Sequence, residues 1–520
     1  MAIERKSVAF RVDASYAIGT GHVTRCLALA EELKNSGTEA VFVCRPHEGH
    51  LSALIEERGF TVLGLPPPSE HWASTEQEPA HAAWLGADWQ TDADETLRVL
   101  DTVRPDWLIV DHYAIDARWE GRLRPAVDSI VVIDDLADRA HACDTLMDQS
   151  LVTRAHERYV DRVPESATIL LGPAYALLQA QYRRHRAHAT TRSGKVSRVL
   201  VSFGGVDRHG LTRATVDALL AIRDKDFKAD IVLAAGSADY TLVQRAIAGR
   251  SNFRLHDRVT SLAPMMLAAD LMVGAGGTTS WERLCLGLPA IIVTVASNQR
   301  PVAEELSRRG LVRWLGDADP TTASRLRSAL TDIFATGLDP DWSERCFEVV
   351  DGRGTTRVCA VLSAHRDMPL FVRTAEPRDE GLLLEWSNDA ETRRNAFNPK
   401  PISPAEHHAW FNKRLGRQDD CALYVVQSES GVPVGQVRFE KQEDRWEISY
   451  AVAPDFRGFG LGRPLLARAI EHLRIGRPDI TLFGQVKPQN AASQKIFKAL
   501  EFAQRKAEPD RFIFERSFKE

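Results

Sequence analysis

Short apolar runs alternate with helical periodicity through the first two thirds of the chain, a rhythm that only a parallel sheet covered by helices satisfies well. The runs Val8 to Val12, Ala40 to Cys44, Trp107 to Val110 and Ile130 to Ile133 read as strands, the last two followed by acidic residues. Between the first two, Val23, Leu27, Ala30 and Leu33 recur at helical spacing until Gly37 stops the helix. After the polar, basic stretch Arg183 to Ser197, read as a linker, the rhythm restarts. Val199 to Phe203, Ile231 to Ala235, Leu271 to Val273 and Ala290 to Val293 are the second set of strand candidates. Two such domains predict a ligand crevice at the carboxyl ends of their strands.

The rhythm lapses around Asp351 to Asp367, and a different pattern follows. A helix containing Trp386 precedes the strand candidates Leu423 to Gln427, Val434 to Phe439 and Trp446 to Val452, which read as antiparallel neighbours. A helix from Pro464, a strand near Thr481, a helix through Ile496 and a strand at Phe512 to Phe514 complete it. The predicted fold class is α/β: two Rossmann-like domains, residues 1–182 and 195–365, followed by an α+β domain, residues 369–520. No repeat or low-complexity tract interrupts this plan.

Composition bounds the partners. With 44% apolar and 26% charged residues, the chain can pack cores throughout, and a net charge of -5 over 520 residues provides no field for nucleic acid or an anionic membrane. The longest apolar runs, such as Pro289 to Ala296, have the length of a buried strand and fall short of the roughly 18 residues of a membrane span. Residues 1–10 lack the features of a signal peptide, and the seven cysteines form no C-x-x-C pair. A cytoplasmic enzyme with small-molecule partners is expected; the oligomeric state stays open.

Gly19-Thr20-Gly21-His22 follows the first strand and opens the first helix. Backbone N–H groups and the positive end of the helix converge there, favouring anions. An imidazole in that place is pushed toward its neutral form and is fit to act as a base, although the glycines could equally make a tight turn with His22 as a cap. In the second domain, Ser202 to Asp207 and Gly274 to Glu282 are further glycine loops after strands. The latter combines backbone donors, the hydroxyls of Thr278 and Thr279 and the carboxylate of Glu282, a set suited to a nucleoside diphosphate. Asp111, Asp134 and Asp135 at strand ends resemble metal ligands but can equally cap turns; capping is expected for the Asp134/Asp135 pair, and His50, His71, His112 and His141 are expected to lie in turns or at the surface. No spacing points to a metal.

The third domain has its own loop: Arg457-Gly458-Phe459-Gly460-Leu461-Gly462, between the strand ending at Val452 and a helix. Its N–H groups can wrap a pyrophosphate, and the strand before it can pair with pantetheine amides. Glu447 on that strand is a candidate base.

The motifs Arg11-Val12-Asp13, Gly19 to His22, Val110-Asp111-His112-Tyr113, Ile133-Asp134-Asp135, Gly172-Pro173-Ala174-Tyr175 and Asn298-Gln299 resemble those of UDP-2,4-diacetamido-2,4,6-trideoxy-β-L-altropyranose hydrolases of pseudaminic acid synthesis, over residues 5 to 362. The resemblance implies the two-Rossmann GT-B architecture and metal-free hydrolysis of a UDP-sugar. His22 would be the catalytic histidine, with Asp13 and Tyr113 bordering the sugar. Gly19, Gly21, Gly205, Thr278, Thr279, Glu282, Asn298 and Gln299 would line the substrate. From about Phe371 onward, R-x-x-G-x-G together with Val486 to Ser493, Phe497 and Glu501-Phe502 resembles the GNAT N-acetyltransferases. That resemblance implies acetyl-CoA as co-substrate, held by Val452, Arg457, Gly458, Gly460, Gly462, Asn490 and Ser493. Many members carry tyrosine near the position of Phe497 as general acid; here Tyr450 or a water would have to substitute. The two resemblances together imply N-acetylation of a UDP-4-amino sugar followed by its hydrolysis. The alternative is a GT-B glycosyltransferase whose appended domain acts on another amine or only binds.

Overall fold

The computed structural model describes residues 6–69, 78–204, 207–223, 226–364, 368–415, 419–507 and 510–518. The chain divides into two compact units, residues 1–355 and 356–520.

The first unit carries two parallel sheets. In one, β1 (Ser7–Val12), β2 (Glu39–Cys44), β3 (Thr61–Gly64), β4 (Trp107–Asp111), β5 (Ser129–Ile133), β6 (Thr145–Asp148) and β7 (Thr168–Leu171) lie in the order β3-β2-β1-β4-β5-β6-β7. In the other, β8 (Arg198–Ser202), β9 (Lys228–Val232), β10 (Phe253–His256), β11 (Leu271–Ala275), β12 (Ala290–Thr294) and β13 (Arg313–Asp317) lie in the order β10-β9-β8-β11-β12-β13. The fold is the GT-B arrangement of two Rossmann-like halves. Helices cover both faces, so the central strands are apolar without alternation; all five residues of β11 and of β12 are buried. In each sheet the first strand is flanked by the second and the fourth, so the order reverses at β1/β4 and at β8/β11. The carboxyl ends of those pairs leave the crevices where this architecture binds ligands.

One expectation needs correction here. The strand foreseen at Ile231 to Ala235 runs instead from Lys228 to Val232, because the chain turns immediately afterwards, with Ser237 N–H donating to the Ala234 carbonyl at 2.9 Å. The basic stretch 183–197 connects the two sheets, and its arginines are packed. The helix Ala180–Arg186 begins it, and Arg186 donates to the carbonyls of Cys285 at 2.7 Å, Phe347 at 2.9 Å and Val350 at 3.0 Å. Buried Arg192 reaches the carbonyls of Met266, Ala269 and Leu286. Long side chains with five donors satisfy loop and helix-end carbonyls that would otherwise be buried bare. The return of the chain is also fixed: Thr355 Oγ1 donates to the Leu178 carbonyl at 2.8 Å and accepts from its N–H at 3.0 Å.

The second unit is a mixed sheet of β14 (Leu370–Thr374), β15 (Cys421–Ser428), β16 (Pro433–Gln442), β17 (Arg445–Val452), β18 (Thr481–Val486), β19 (Ala503–Ala507) and β20 (Phe512–Ser517), ordered β14-β15-β16-β17-β18-β20-β19. The predicted antiparallel neighbours β15, β16 and β17 pair as expected. The parallel pair β17/β18 holds register only from Trp446↔Leu482 to Ile448↔Gly484, beyond which the two strands part. Unpaired N–H and C=O groups on both strands then line a wedge that a ligand can fill. Among the described residues, no helix is long and apolar enough to cross a membrane.

Candidate active sites

The first site grows from the carboxyl ends of β1 and β4. Gly19, at φ +84°, makes the turn that a side chain would strain, and its N–H donates to the Ser15 carbonyl at 2.8 Å. Gly21 opens the helix Gly21–Asn35, placing His22 in its first turn. From there the nearly buried His22 ring directs Nδ1 to Asp111 Oδ1 at 2.5 Å, Asp111 being the last residue of β4. An ionised carboxylate only accepts, so Nδ1 carries the hydrogen, and Nε2 is the ring nitrogen left to exchange a proton.

Asp111 is itself locked. Arg25, one turn beyond His22, grips it with Nε to Oδ2 at 2.6 Å and Nη2 to Oδ1 at 2.7 Å. Burial alone would raise the Asp111 carboxyl, but the Arg25 guanidinium and His22 hold it well below the usual carboxylate range. The third arm of Arg25, Nη1, reaches Asp135 Oδ2 at 3.0 Å, and Asp135 also accepts from the Tyr113 hydroxyl. Burial, followed by the charge of Asp135, pushes the Tyr113 phenol upward, keeping it protonated. The ring of Tyr113 stands edge-on to His22 with centroids 4.6 Å apart, and Trp84 stacks on Tyr113 at 5.7 Å with His81 against both. A histidine thus sits beside an aromatic wall.

The sequence expectations for the acidic and imidazole groups are partly corrected. Asp134 does cap a turn, accepting from Ala137 N–H at 2.8 Å, and it also pairs with Arg139. Asp135 instead belongs to the His22 network. His112 and His141 are buried, not in surface turns: His112 Nε2 lies 3.3 Å from Asp13 Oδ2, and His141 Nδ1 lies 2.7 Å from Glu120 Oε1. His71 lies outside the described residues. Asp13 is wholly buried, paired with Arg11 at 2.8 Å and accepting from Arg45 N–H at 2.7 Å. Burial notwithstanding, Arg11 keeps it ionised.

The second sheet faces this loop. A Cβ on Gly21 would stand 3.5 Å from the Thr278 methyl, so Thr278, the cap of the helix Thr279–Cys285, lies over the glycine loop. Arg208 also crosses, its Nη2 donating to the Tyr16 carbonyl at 2.5 Å. Gln299 flanks Gly276 and Gly277, its Oε1 accepting from Val295 N–H at 3.1 Å, whereas Asn298 is exposed beside it. Glu282 is partly buried, hydrogen-bonded with the Tyr182 hydroxyl, and burial pushes it up to about 7. Gly205 lies outside the described residues. Gly21 and Thr279 thus bring one helix N-terminus from each sheet to the same place. Sequence reasoning placed Asp111 in a motif without giving it the His22 contact, and missed Arg25, His81 and Trp84; only the i, i+3 spacing of His22 and Arg25 hinted at a shared face.

In the second unit a cavity of about 1300 Å³ opens where β17 and β18 part. Glu447, Tyr450, Val452, Arg457, Gly458, Gly460, Gly462, Asn490 and Ser493 all line it. Gly458 and Gly460 have φ of +84° and +74°, so the loop needs glycine to turn its N–H groups inward. A Cβ on Gly462 would come within 2.6 Å of Ile496, so the helix Gly462–Ile475 starts tight against its neighbour. Arg457 anchors the loop through Asp389 at 2.7 Å and Thr392 at 3.0 Å. Asn490 caps the helix Ala491–Ala499, accepting from Ser493 N–H at 3.1 Å. Glu447 accepts from Gln485 at 2.9 Å and from Gln442. Its neighbour Arg438 is lowered by burial and by Arg414, and lies over Trp410. Among the described residues, no group of three or more His, Cys, Asp or Glu side chains is placed to hold a metal ion.

Comparison with known proteins agrees with both halves of this description. Residues 370–503 match the Acetyltransferase (GNAT) domain family, and residues 199–348 match the Glycosyltransferase family 28 C-terminal domain. An uncharacterized protein of Methanocaldococcus jannaschii is 22% identical over 98% of this chain and 99% of its own length, so both units recur together there. The UDP-2,4-diacetamido-2,4,6-trideoxy-beta-L-altropyranose hydrolase of Campylobacter jejuni is 22% identical over 58% of this chain and 97% of its own. The L-amino acid N-acyltransferase of Escherichia coli is 30% identical over 26% of this chain and 79% of its own. The chain therefore belongs, through its C-terminal unit, to the GNAT acetyltransferases, fused behind a glycosyltransferase-like GT-B unit that is a relative of the altropyranose hydrolase.

Proposed function

We propose that the chain performs two consecutive reactions of pseudaminic acid synthesis: the GNAT unit acetylates the 4-amino group of a UDP-4-amino-4,6-dideoxy-β-L-AltNAc precursor, and the GT-B unit hydrolyses the diacetamido product to UDP and free sugar. The observation that carries the hydrolytic half is the His22–Asp111 pair at the head of the glycine loop. With Nδ1 committed to Asp111, Nε2 of His22 takes a proton from water as the water oxygen bonds to the anomeric carbon. The bond from that carbon to the diphosphate oxygen breaks, and UDP leaves as the anion. Backbone N–H groups at Gly21 and Thr279, with the Thr278 and Thr279 hydroxyls, stabilise charge growing on the diphosphate. Tyr113 borders the sugar, and Glu282 and Gln299 flank the nucleotide.

In the GNAT unit, the amine attacks the thioester carbon of acetyl-CoA seated in the β17/β18 wedge, with its pyrophosphate on the loop Arg457–Gly462 and Glu447 as base. The test is mass spectrometry of purified protein with acetyl-CoA and the UDP-amino sugar. Acetylated UDP-sugar should appear first, then UDP and free sugar. His22→Ala should stop UDP release and spare acetyl transfer; equal loss of both would defeat the division of labour.

The match of residues 199–348 to a glycosyltransferase domain favours a second reading, transfer of the sugar to an acceptor alcohol. UDP release that depends on an added alcohol would select it.

A further inference from the structure

Acetyl transfer requires two proton movements, one from the attacking ammonium and one to the departing thiolate, and the GNAT cavity presents groups for them on opposite faces of β17. Side chains of a strand alternate, so Glu447 and Tyr450, three residues apart, point to opposite faces. Their contacts agree. Glu447 meets Gln485 at 2.9 Å and feels Arg438, which lies over Trp410 of the helix Pro404–Leu415. Tyr450 meets the helix Ala491–Ala499 on the other face: its hydroxyl lies 3.0 Å from Ser493 Oγ, and its ring stands edge-on to Phe497 at 6.1 Å.

Phe497 cannot serve as an acid. It is buried, stacked on Phe514 at 5.4 Å and pressed against Gly484, where a Cβ would come within 2.3 Å of its ring. Tyr450 is the one phenol among the described residues lining the cavity. Ser493 is held in place because its N–H is bonded to the capping Asn490.

From this geometry we propose that Tyr450 is the catalytic acid that protonates the CoA thiolate, with Ser493 as its positioning residue. The inference rests only on acetyl transfer, not on the identity of the amine. Collapse of the tetrahedral intermediate breaks the C–S bond, and sulfur takes the bonding pair. Tyr450 Oη gives its proton to sulfur, forming CoA thiol. Ser493, whose hydroxyl hydrogen can rotate, donates a hydrogen bond to the resulting phenolate until solvent returns the proton. The ammonium proton leaves on the Glu447 face, so the two transfers never compete for one group. Burial pushes the phenol up to about 12, so it carries its proton when the thioester is attacked.

Two readouts test this on the full chain. Tyr450→Phe retains the ring and should lower kcat for acetyl transfer about 100-fold with KM for acetyl-CoA unchanged. Ultraviolet titration of the thiol of bound CoA, which needs no amine, should show its pKa raised by roughly one unit in the variant, because the donor to the thiolate is gone. Ser493→Ala, on the first turn of a surface helix, should move both readouts in the same direction by less, and carries the test should Tyr450→Phe not fold. A kcat within about threefold of wild type, or an unmoved thiol titration, would overturn the assignment. Failure of the wild type to acetylate the UDP-amino sugar would defeat the acceptor reading and leave the CoA titration intact as the judge of Tyr450.

Discussion

Asp111 Oδ1 accepts from His22 Nδ1 at 2.5 Å while both oxygens of the same carboxylate are gripped by Arg25 at 2.6 and 2.7 Å. The carboxylate therefore fixes the tautomer and the angle of the ring, and Arg25 fixes the carboxylate. Asp111→Asn should lower the rate of UDP release by about 100-fold or more, since an amide can present a donor to Nδ1 and so misplace the free lone pair. Steady-state assay of UDP release checks it, with acetyl transfer as the internal control.

Glu282, pushed up to about 7 by burial, gives a pH signature. Its ordinary value in the unfolded chain is lower, so the free folded protein binds the extra proton; this contribution favours the fold at low pH and is lost as pH rises through about 7. Ligand hydroxyls bond more strongly to the ionised form than to the protonated one. UDP affinity should therefore strengthen as pH rises from about 6 to about 8, and the gain should be smaller in Glu282→Gln, where the terminal phosphate of UDP still titrates. Calorimetric titration with UDP at a series of pH values decides.

The aromatic wall of Trp84, Tyr113 and His81 stands within 4.4 to 5.7 Å between ring centroids. Trp84→Ala removes the stacking partner of Tyr113 without touching His22 or Asp111. The expected result is a rise in KM for the UDP-sugar of roughly 3- to 10-fold with a smaller change in kcat. A fall confined to kcat would mean that the wall orients the base and does not bind sugar.

Gly274 in β11 has no room for a side chain: a Cβ would stand 2.3 Å from the Ser202 carbonyl oxygen of β8. Because the obstacle is backbone in a buried parallel pair, it cannot step aside. Gly274→Ala should cost about 1–3 kcal/mol of stability, read as a lower unfolding midpoint of the GT-B unit.

The rhythm of apolar runs was enough to establish two parallel-sheet halves and a mixed third sheet, and the glycines at 19, 21, 458, 460 and 462 marked the loops at both candidate sites. These features are local, set by neighbours up to four residues apart, and sequence displays them directly. Asp111 and Arg25 are 86 residues apart, and Tyr450 and Ser493 are 43 apart; nothing in either segment names its partner. Tertiary structure alone decided those pairs. Strand order puts β4 beside β1, so the end of one delivers a carboxylate to the helix that follows the other. The parting of β17 from β18 opens the wedge in which Tyr450 meets Ser493. Buried charge must then find a partner wherever topology has brought one, which is why Asp135 joined Arg25 instead of capping a turn and why Arg186 and Arg192 left solvent for bare carbonyls.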